Sequence, residues 1–324
     1  MRSRPVLSSI LLLLPGLGLL IAGGDLLVRG AAGLALWLRL PPLLVGLIFV
    51  GFATSTPELV TSIAAALAGA PGIAVGNVVG SNTANILLIL GLAAAIRPLA
   101  VTRQSFIRDG AVVLLAALAC AGVAVYGRLD RAVGAVLLLA LLAYLVHACR
   151  RPAPAPGADA RTPPPRAGMV VLCSLGGLAL TLVGAKLTVD GAVAMADAFA
   201  VPETLIGLTI VAIGTSLPEL AASTMAAVRR QGDIAVGNIL GSNIFNVLGI
   251  LGLTALVRPL PVAADIVRFD VWVMLAATLL MLLAGYTGSR FSRGEGAVFL
   301  LLYAAYLAAL GALNLPPPFA VAAL

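Results

Sequence analysis

The sequence predicts an all-α integral membrane protein, with ten transmembrane helices arranged as two inverted-topology repeats of five. Three observations carry that prediction. Of the 324 residues, 61% are hydrophobic and only 10% charged, with a mean hydropathy of +1.12, whereas a soluble domain carries roughly 25% charged residues. Apolar stretches of about 20 residues, the length that crosses a bilayer, recur along the whole chain. The chain also repeats itself at a fixed offset, Glu219 lying 161 residues after Glu58.

The first span is expected at about residues 6–30. Its start, "MRSRPVLSSILLLLPGLGLL", has the charged head and apolar centre of a signal peptide. The apolar pattern runs on past any cleavage site, so the segment reads as a retained span. The second, at about 42–68, contains "FATSTPEL", and the third, at about 73–96, begins with "IAVGNVVGSNTAN". The fourth and fifth fall at about 106–126 and 132–149. Residues 150–168, "RRPAPAPGADARTPPPRAG", are rich in Pro and Ala and carry Arg150, Arg151, Arg161 and Arg166. They read as an extended, solvated linker. Spans six to ten follow at about 168–196, 203–228, 234–257, 269–287 and 295–314. The expected organisation is therefore a first repeat at 1–149, a linker at 150–167 and a second repeat at 168–324. The first and sixth spans are long enough to require tilt.

Positive charge predicts orientation. With ten spans, Arg39, Arg97, Arg103, Arg108, Arg229, Arg230, Arg290 and Arg293 join the linker's arginines on one face. Arg2, Arg4, Arg128, Arg131, Arg258 and Arg268 fall on the other. The linker is therefore expected in the cytoplasm and both termini outside. The net charge of +7 reports this orientation and does not call for nucleic acid as a partner.

The repeat is ungapped. Gly30 falls on Gly191, Gly46 on Gly207 and Ser62 on Ser223; "RPL" at 97–99 falls on "RPL" at 258–260. Five spans is an odd number, so the second half enters the membrane from the opposite side. Inverted repeats with interrupted helices at matching positions are a transporter organisation. Helices 2, 3, 7 and 8 are the ones expected to be broken.

The repeated segments hold the chemistry. Pro57 suits the first turn of a helix, and Ser55 with Glu58 matches a capping box. "TSTPE" thus reads as the start of a half-helix inside the second span, and Thr215, Ser216, Pro218 and Glu219 repeat it in the seventh. The plainer reading is a kinked helix whose glutamate caps its own backbone. The cost of a carboxylate at membrane depth, met twice, argues against it. Ser81 and Asn85 share a helix face, as do Ser242 and Asn246. Gly76, Gly80, Gly237 and Gly241 leave room for close packing, and Asn82 and Asn243 are expected to hold the bend. "GNxxGSN" taken alone reads equally as a small-residue packing interface. Together, Glu58, Glu219, Thr54, Ser55, Ser81, Asn85, Thr215, Ser216, Ser242 and Asn246 form a candidate set of oxygen ligands. Carbonyls near Gly51 and Ala212 are expected to add to it. Hard oxygen donors suit Ca²⁺ and Na⁺, not Zn²⁺ or Cu²⁺. Two ionised glutamates carry a charge that one Ca²⁺ or two Na⁺ would neutralise.

Other polar residues read more blandly. Cys120, Cys149 and Cys173 lack any metal spacing and suit small packing roles. His147 sits beside Arg150 and Arg151 and reads as interfacial. Asp25 and Lys186 occupy equivalent positions, as do Arg29 and Asp190, which suggests ion pairing or anchoring. No Ser/His, paired-Asp or HExxH arrangement points to an enzyme, and no cofactor motif is present.

In its paired motifs, "ATSTPEL…GNVVGSNTAN" and "GTSLPEL…GNILGSNIFN", the chain resembles the sodium/calcium exchangers of the cation/calcium antiporter superfamily. The resemblance covers nearly the whole chain. It implies exchange of Na⁺ for Ca²⁺ by alternating access, normally extruding Ca²⁺ across the cell inner (plasma) membrane, with no cofactor. It implies that Glu58 and Glu219 are the central carboxylates and that the other candidates are further ligands. Ala53 departs from the family motif, which has glycine there as Gly214 does, and implies a stiffer backbone. Asn246 stands where potassium-dependent relatives carry Asp, which implies no K⁺ cotransport. Residues 150–167 are too short for the regulatory loop of animal exchangers. The same fold exchanging Ca²⁺ for H⁺ is the alternative, since glutamates also take protons; a cation channel is a more distant one.

Overall fold

The computed structural model describes residues 3–150, 165–198, 212–263 and 266–314. Its helices are α1 (Ser3–Leu38), α2 (Pro42–Thr54), α3 (Thr56–Leu67), α4 (Pro71–Ile96), α5 (Arg103–Tyr126) and α6 (Arg131–Cys149) in the first half. The second half holds α7 (Ala167–Ala198), α8 (Ala212–Thr215), α9 (Leu217–Val228), α10 (Gly232–Val257), α11 (Ile266–Gly288) and α12 (Arg293–Asn314). Among the described residues, 8 helices are long and apolar enough to cross a membrane, and the bent pair α2 and α3 makes a ninth candidate. The first part of the expected seventh span and nearly all of the linker lie outside the described residues.

Helix α1 has 36 residues and α7 has 32. At 1.5 Å per residue they reach about 54 and 48 Å, well beyond a hydrocarbon core of about 30 Å. They pack antiparallel along their lengths. Gly16 and Gly23 of α1 face Gly184 and Gly177 of α7, while Gly30 lies against Ser174 and Gly191 against Leu13, so closely that a methyl group at any of them would collide with the opposing helix. A Cβ at Gly23 would meet the backbone of Thr181 and Gly177, and one at Gly184 the backbone of Leu20 and Gly16. Small residues let helix backbones touch in lipid, where no hydrophobic force drives association. The outer faces of the two helices carry Leu11, Leu14, Leu172 and Leu175, all largely exposed and suited to acyl chains.

The centre of the molecule is α4 and α10. Of their apolar windows 72% and 83% are buried, against 28% for α1 and α7. Gly237 and Gly241 of α10 lie directly against the backbone of Leu43 and Leu47 in α2. The positions equivalent to Leu43 and Leu47 in the second half, 204 and 208, lie outside the described residues.

Spans two and seven break where the prolines sit. Helices α2 and α3 meet at Ser55 with a 41° bend, and α8 and α9 meet at Ser216. Spans three and eight, also expected to break, instead continue: α4 and α10 widen into π-helical turns at Asn85–Leu90 and Phe245–Leu251 without losing the helix. Neither segment contains an internal proline, so nothing removes a backbone donor, and an added residue in the turn is enough to re-aim the side chains.

Outside the helices, two-residue ladders tie the loops. Leu99–Ala100 pairs with Arg290–Phe291, and Arg128–Leu129 with Leu260–Pro261. Two buried or half-buried aspartates at equivalent positions hold the peripheral helices: Tyr144 donates to Asp109 at 3.2 Å, and Tyr306 donates to Asp270 at 2.9 Å.

Candidate ion-binding site

The two half-helices α3 and α9 begin at the breaks, each with proline at its second residue and glutamate at its third. Their glutamates are fully enclosed, Glu58 at 0% and Glu219 at 1% exposure. The capping box expected of Ser55 and Glu58 does not form: neither Ser55 nor Ser216 caps its own helix. Each serine hydroxyl instead reaches the opposite half. Ser55 Oγ donates to Glu219 Oε1 at 2.8 Å, and Ser216 Oγ donates to Glu58 Oε1 at 3.0 Å. A carboxylate is a stronger acceptor for the serine hydroxyl than a backbone carbonyl.

The remaining candidates gather around this pair. Ser81 lies 3.3 Å from the Ser216 hydroxyl. Thr54 and Ser242 also face the Glu219 carboxylate. Ser242 Oγ donates to the Gly51 carbonyl at 3.1 Å, and that carbonyl also accepts from Ser55 N at 3.2 Å. The expectation of a freed carbonyl at Gly51 is therefore corrected: the helix runs through Gly51 and uses that oxygen. On the other side of the centre the amides cross between halves. Asn85 Nδ2 donates to Asn243 Oδ1 at 3.2 Å, Asn246 Nδ2 to Asn82 Oδ1 at 3.0 Å, and Asn82 Nδ2 to the Asn243 carbonyl at 3.2 Å. Asn82 and Asn243, expected to hold a bend, thus hold the two halves together.

Four buried acceptor atoms here have no hydrogen-bond partner among the described residues: Glu58 Oε2, Glu219 Oε2, Asn85 Oδ1 and Asn246 Oδ1. Buried polar atoms are nearly always satisfied, and a buried unpaired carboxylate oxygen costs several kcal/mol. The described residues contain no group of three or more His, Cys, Asp and Glu suited to a metal. The donor set is two carboxylates with hydroxyl and amide oxygens, which is the chemistry of hard cations.

Two residues of the site escaped the sequence reading. Asn77 Nδ2 donates to the Glu58 carbonyl at 3.1 Å and to Ser62 Oγ at 3.0 Å. Asn238 Nδ2 donates to the Glu219 carbonyl at 3.3 Å and to Ser223 Oγ at 2.8 Å. The hydroxyl of Thr215 reaches Asn77 Oδ1 at 3.5 Å, and that of Thr54 reaches Asn238 Oδ1 at 3.3 Å. Their signal was present: both are the Asn of the repeated "GNxxGSN", at matching positions.

The two halves differ beside the site. Phe52 stacks on Phe245 with ring centroids 4.5 Å apart, where the equivalent positions hold Ile213 and Ala84. Ala53 sits in regular helix one residue before Thr54, and the break follows regardless. Its counterpart Gly214 answers a packing demand, since a Cβ there would strike the Val189 side chain of α7. The expected pairing of the intramembrane charges occurs within each helix, Asp25 with Arg29 at 3.0 Å and Lys186 with Asp190 at 3.1 Å. Asp25 also pairs with Arg229 at the end of α9.

The chain is similar to known proteins along nearly its whole length. The family model described as sodium/calcium exchanger protein matches residues 8–150 and 169–311. The "Putative antiporter CaxA" of Alkalimonas amylolytica is 38% identical over 93% of this chain and 98% of its own length. The "Sodium/calcium exchanger MaX1" of Methanosarcina acetivorans is 33% identical over 93% of this chain and 97% of its own. Among solved structures, the sodium-calcium exchanger NCX_Mj superposes with a TM-score of 0.83 at 34% identity, covering 94% of this chain and 99% of that one.

Proposed function

Because the chain belongs to the sodium/calcium exchanger family, we propose that it exchanges Na⁺ for Ca²⁺ by alternating access, extruding Ca²⁺ from the cell. It is a membrane transporter, not an enzyme. The observation that carries the proposal is the set of four acceptors with no hydrogen-bond partner among the described residues, Glu58 Oε2, Glu219 Oε2, Asn85 Oδ1 and Asn246 Oδ1, buried between the halves. Left empty and ionised, such a site is costly to carry through lipid. One Ca²⁺ or two Na⁺ would balance the two glutamates, so either load permits the switch of sides, which is the requirement for exchange.

In this reading Glu58 and Glu219 hold the cation centrally. Thr54, Ser55, Ser81, Asn85, Thr215, Ser216, Ser242 and Asn246 supply further oxygens. Ten spans form two inverted repeats, 1–149 and 168–324, joined by the linker at 150–167. The protein sits in the cell inner membrane with the linker in the cytoplasm and both termini outside. The loop ladders support this topology. Each joins segments that the arginine distribution assigns to a common face, Leu99 with Phe291 and Leu129 with Leu260.

The test is Ca²⁺ flux in reconstituted vesicles. An outward Na⁺ gradient is expected to drive Ca²⁺ uptake at zero pH gradient. Uptake that follows an imposed pH gradient and ignores Na⁺ would assign protons as the counter-ion. Flux down the Ca²⁺ gradient with no counter-ion would make the protein a channel.

A further inference from the structure

We propose that Asn77 and Asn238 are positioning residues that set the ion affinity of the site by tying each glutamate-bearing turn to the opposite half. The proposal rests on the exchanger reading above and goes beyond it to residues outside the candidate ligand set.

The geometry is the same twice. An asparagine side chain has two amide hydrogens and one carbonyl oxygen with free lone pairs. Asn77 directs its amide to Glu58 O and Ser62 Oγ, which lie one helical turn apart on α3. It therefore grips the turn that carries the Glu58 carboxylate. Its oxygen accepts from Thr215, the last residue of α8 before the opposite break. Asn238 does the same for α9, gripping Glu219 O and Ser223 Oγ, with its oxygen 3.3 Å from the hydroxyl of Thr54, the last residue of α2, which also reaches the Val50 carbonyl at 3.0 Å. The tips of all four half-helices are thus cross-tied by two amides. Aspartate lacks both donors, leucine lacks any polar group, and glutamine carries its amide one methylene further from the backbone.

The consequence is a site whose two carboxylates do not move independently. A shift of α8 is transmitted through Thr215 and Asn77 to the turn beneath Glu58. A shift of α2 is transmitted through Thr54 and Asn238 to Glu219. Ion affinity then depends on residues that contact no ion.

Double-mutant cycles test this in the full-length protein. Asn77→Ala and Thr215→Val are each expected to raise the half-saturating Ca²⁺ concentration by about threefold to tenfold, the worth of a buried hydrogen bond. Maximal rates should change less. Because the two residues share one tie but each also acts alone, the double variant should be weaker than the worse single yet raise the half-saturating concentration by less than the product of the two single effects. Asn77→Ala combined with Thr54→Val should instead multiply. Asn238→Ala must show the reverse pattern, coupled to Thr54→Val and independent of Thr215→Val. That copy keeps the test alive if one asparagine variant fails to fold. Effects that multiply in every combination overturn the proposal. If the wild type moves no Ca²⁺, the exchanger reading fails separately, and the same cycles read from melting temperatures in detergent decide whether the ties exist.

Discussion

Ser55 donates its hydroxyl hydrogen to the Oε1 atom of Glu219, 164 residues away, and not to the helix it begins. Ser216 returns the exchange to Glu58. The carboxylate of each half is therefore held by the other half. This swap follows from the breaks at Ser55 and Ser216: a proline two residues on leaves the serine outside the helix, and the nearest strong acceptor belongs to the facing repeat.

Removing that hydroxyl should weaken ion binding without unfolding the protein. Ser55→Ala and Ser216→Ala are each expected to raise the half-saturating Ca²⁺ concentration by about tenfold or more, since hydrogen bonds to charged groups contribute about 1.5–3 kcal/mol. Ser→Thr at either position should recover most of the loss. Concentration-dependent ⁴⁵Ca²⁺ uptake into vesicles measures both, and an unchanged half-saturation point in the alanine variants would remove the serines from the site.

The carboxylates themselves are expected to be indispensable. Glu58→Gln and Glu219→Gln keep the shape and lose the charge, so each should abolish exchange while the purified protein remains folded by circular dichroism. Normal Ca²⁺ transport by either variant would show that its glutamate does not hold the cation.

Helix α1 should tolerate alanine according to position. Gly23→Ala places a methyl against the backbone of Thr181 and Gly177, and such overpacking costs about 1–3 kcal/mol. Gly18, with nothing within 4 Å of its would-be Cβ, should accept alanine with no loss and a gain of up to about 1 kcal/mol from helix propensity. Melting in detergent should rank the variants in that order, and equal melting temperatures would contradict the backbone contact.

Orientation is open to a chemical test. Cys149 is an exposed free cysteine at the end of α6, next to the linker, whereas Cys120 is buried and Cys173 half-buried. In a variant with Cys120→Ser and Cys173→Ser, a membrane-impermeant maleimide should label Cys149 in inverted vesicles and spare it in right-side-out ones. The opposite pattern would place the linker outside the cell.

The sequence made the glutamates legible because a charged residue in an apolar run has no bland explanation, and because the run occurs twice. The prolines likewise marked the breaks in spans two and seven. Asn77 and Asn238 were hidden by the opposite circumstance. An amide among glycines reads as packing, and its partners, Ser62 and Thr215 for Asn77, are brought near only by the fold. The π-helical turns at Asn85 and Phe245 were invisible to hydropathy, since widening a turn changes neither composition nor length. Asp109 and Asp270 were passed over because each lies near a span boundary, where an acid draws no notice; their tyrosines come from another helix.

The stacked rings of Phe52 and Phe245 have no twin, their counterparts being Ile213 and Ala84. Asp25 and Arg229 have none either, since Lys186 and Ala68 occupy those positions. A machine made of two identical inverted halves would be degenerate: its inward-open and outward-open forms would be related by the two-fold rotation and equal in energy, and only the ions would choose between them. Aromatic stacking alone contributes about 0.5–1.5 kcal/mol. In the proposed alternating-access cycle, a contact present in one half alone, such as this stack, would let the two forms differ in energy before any ion binds.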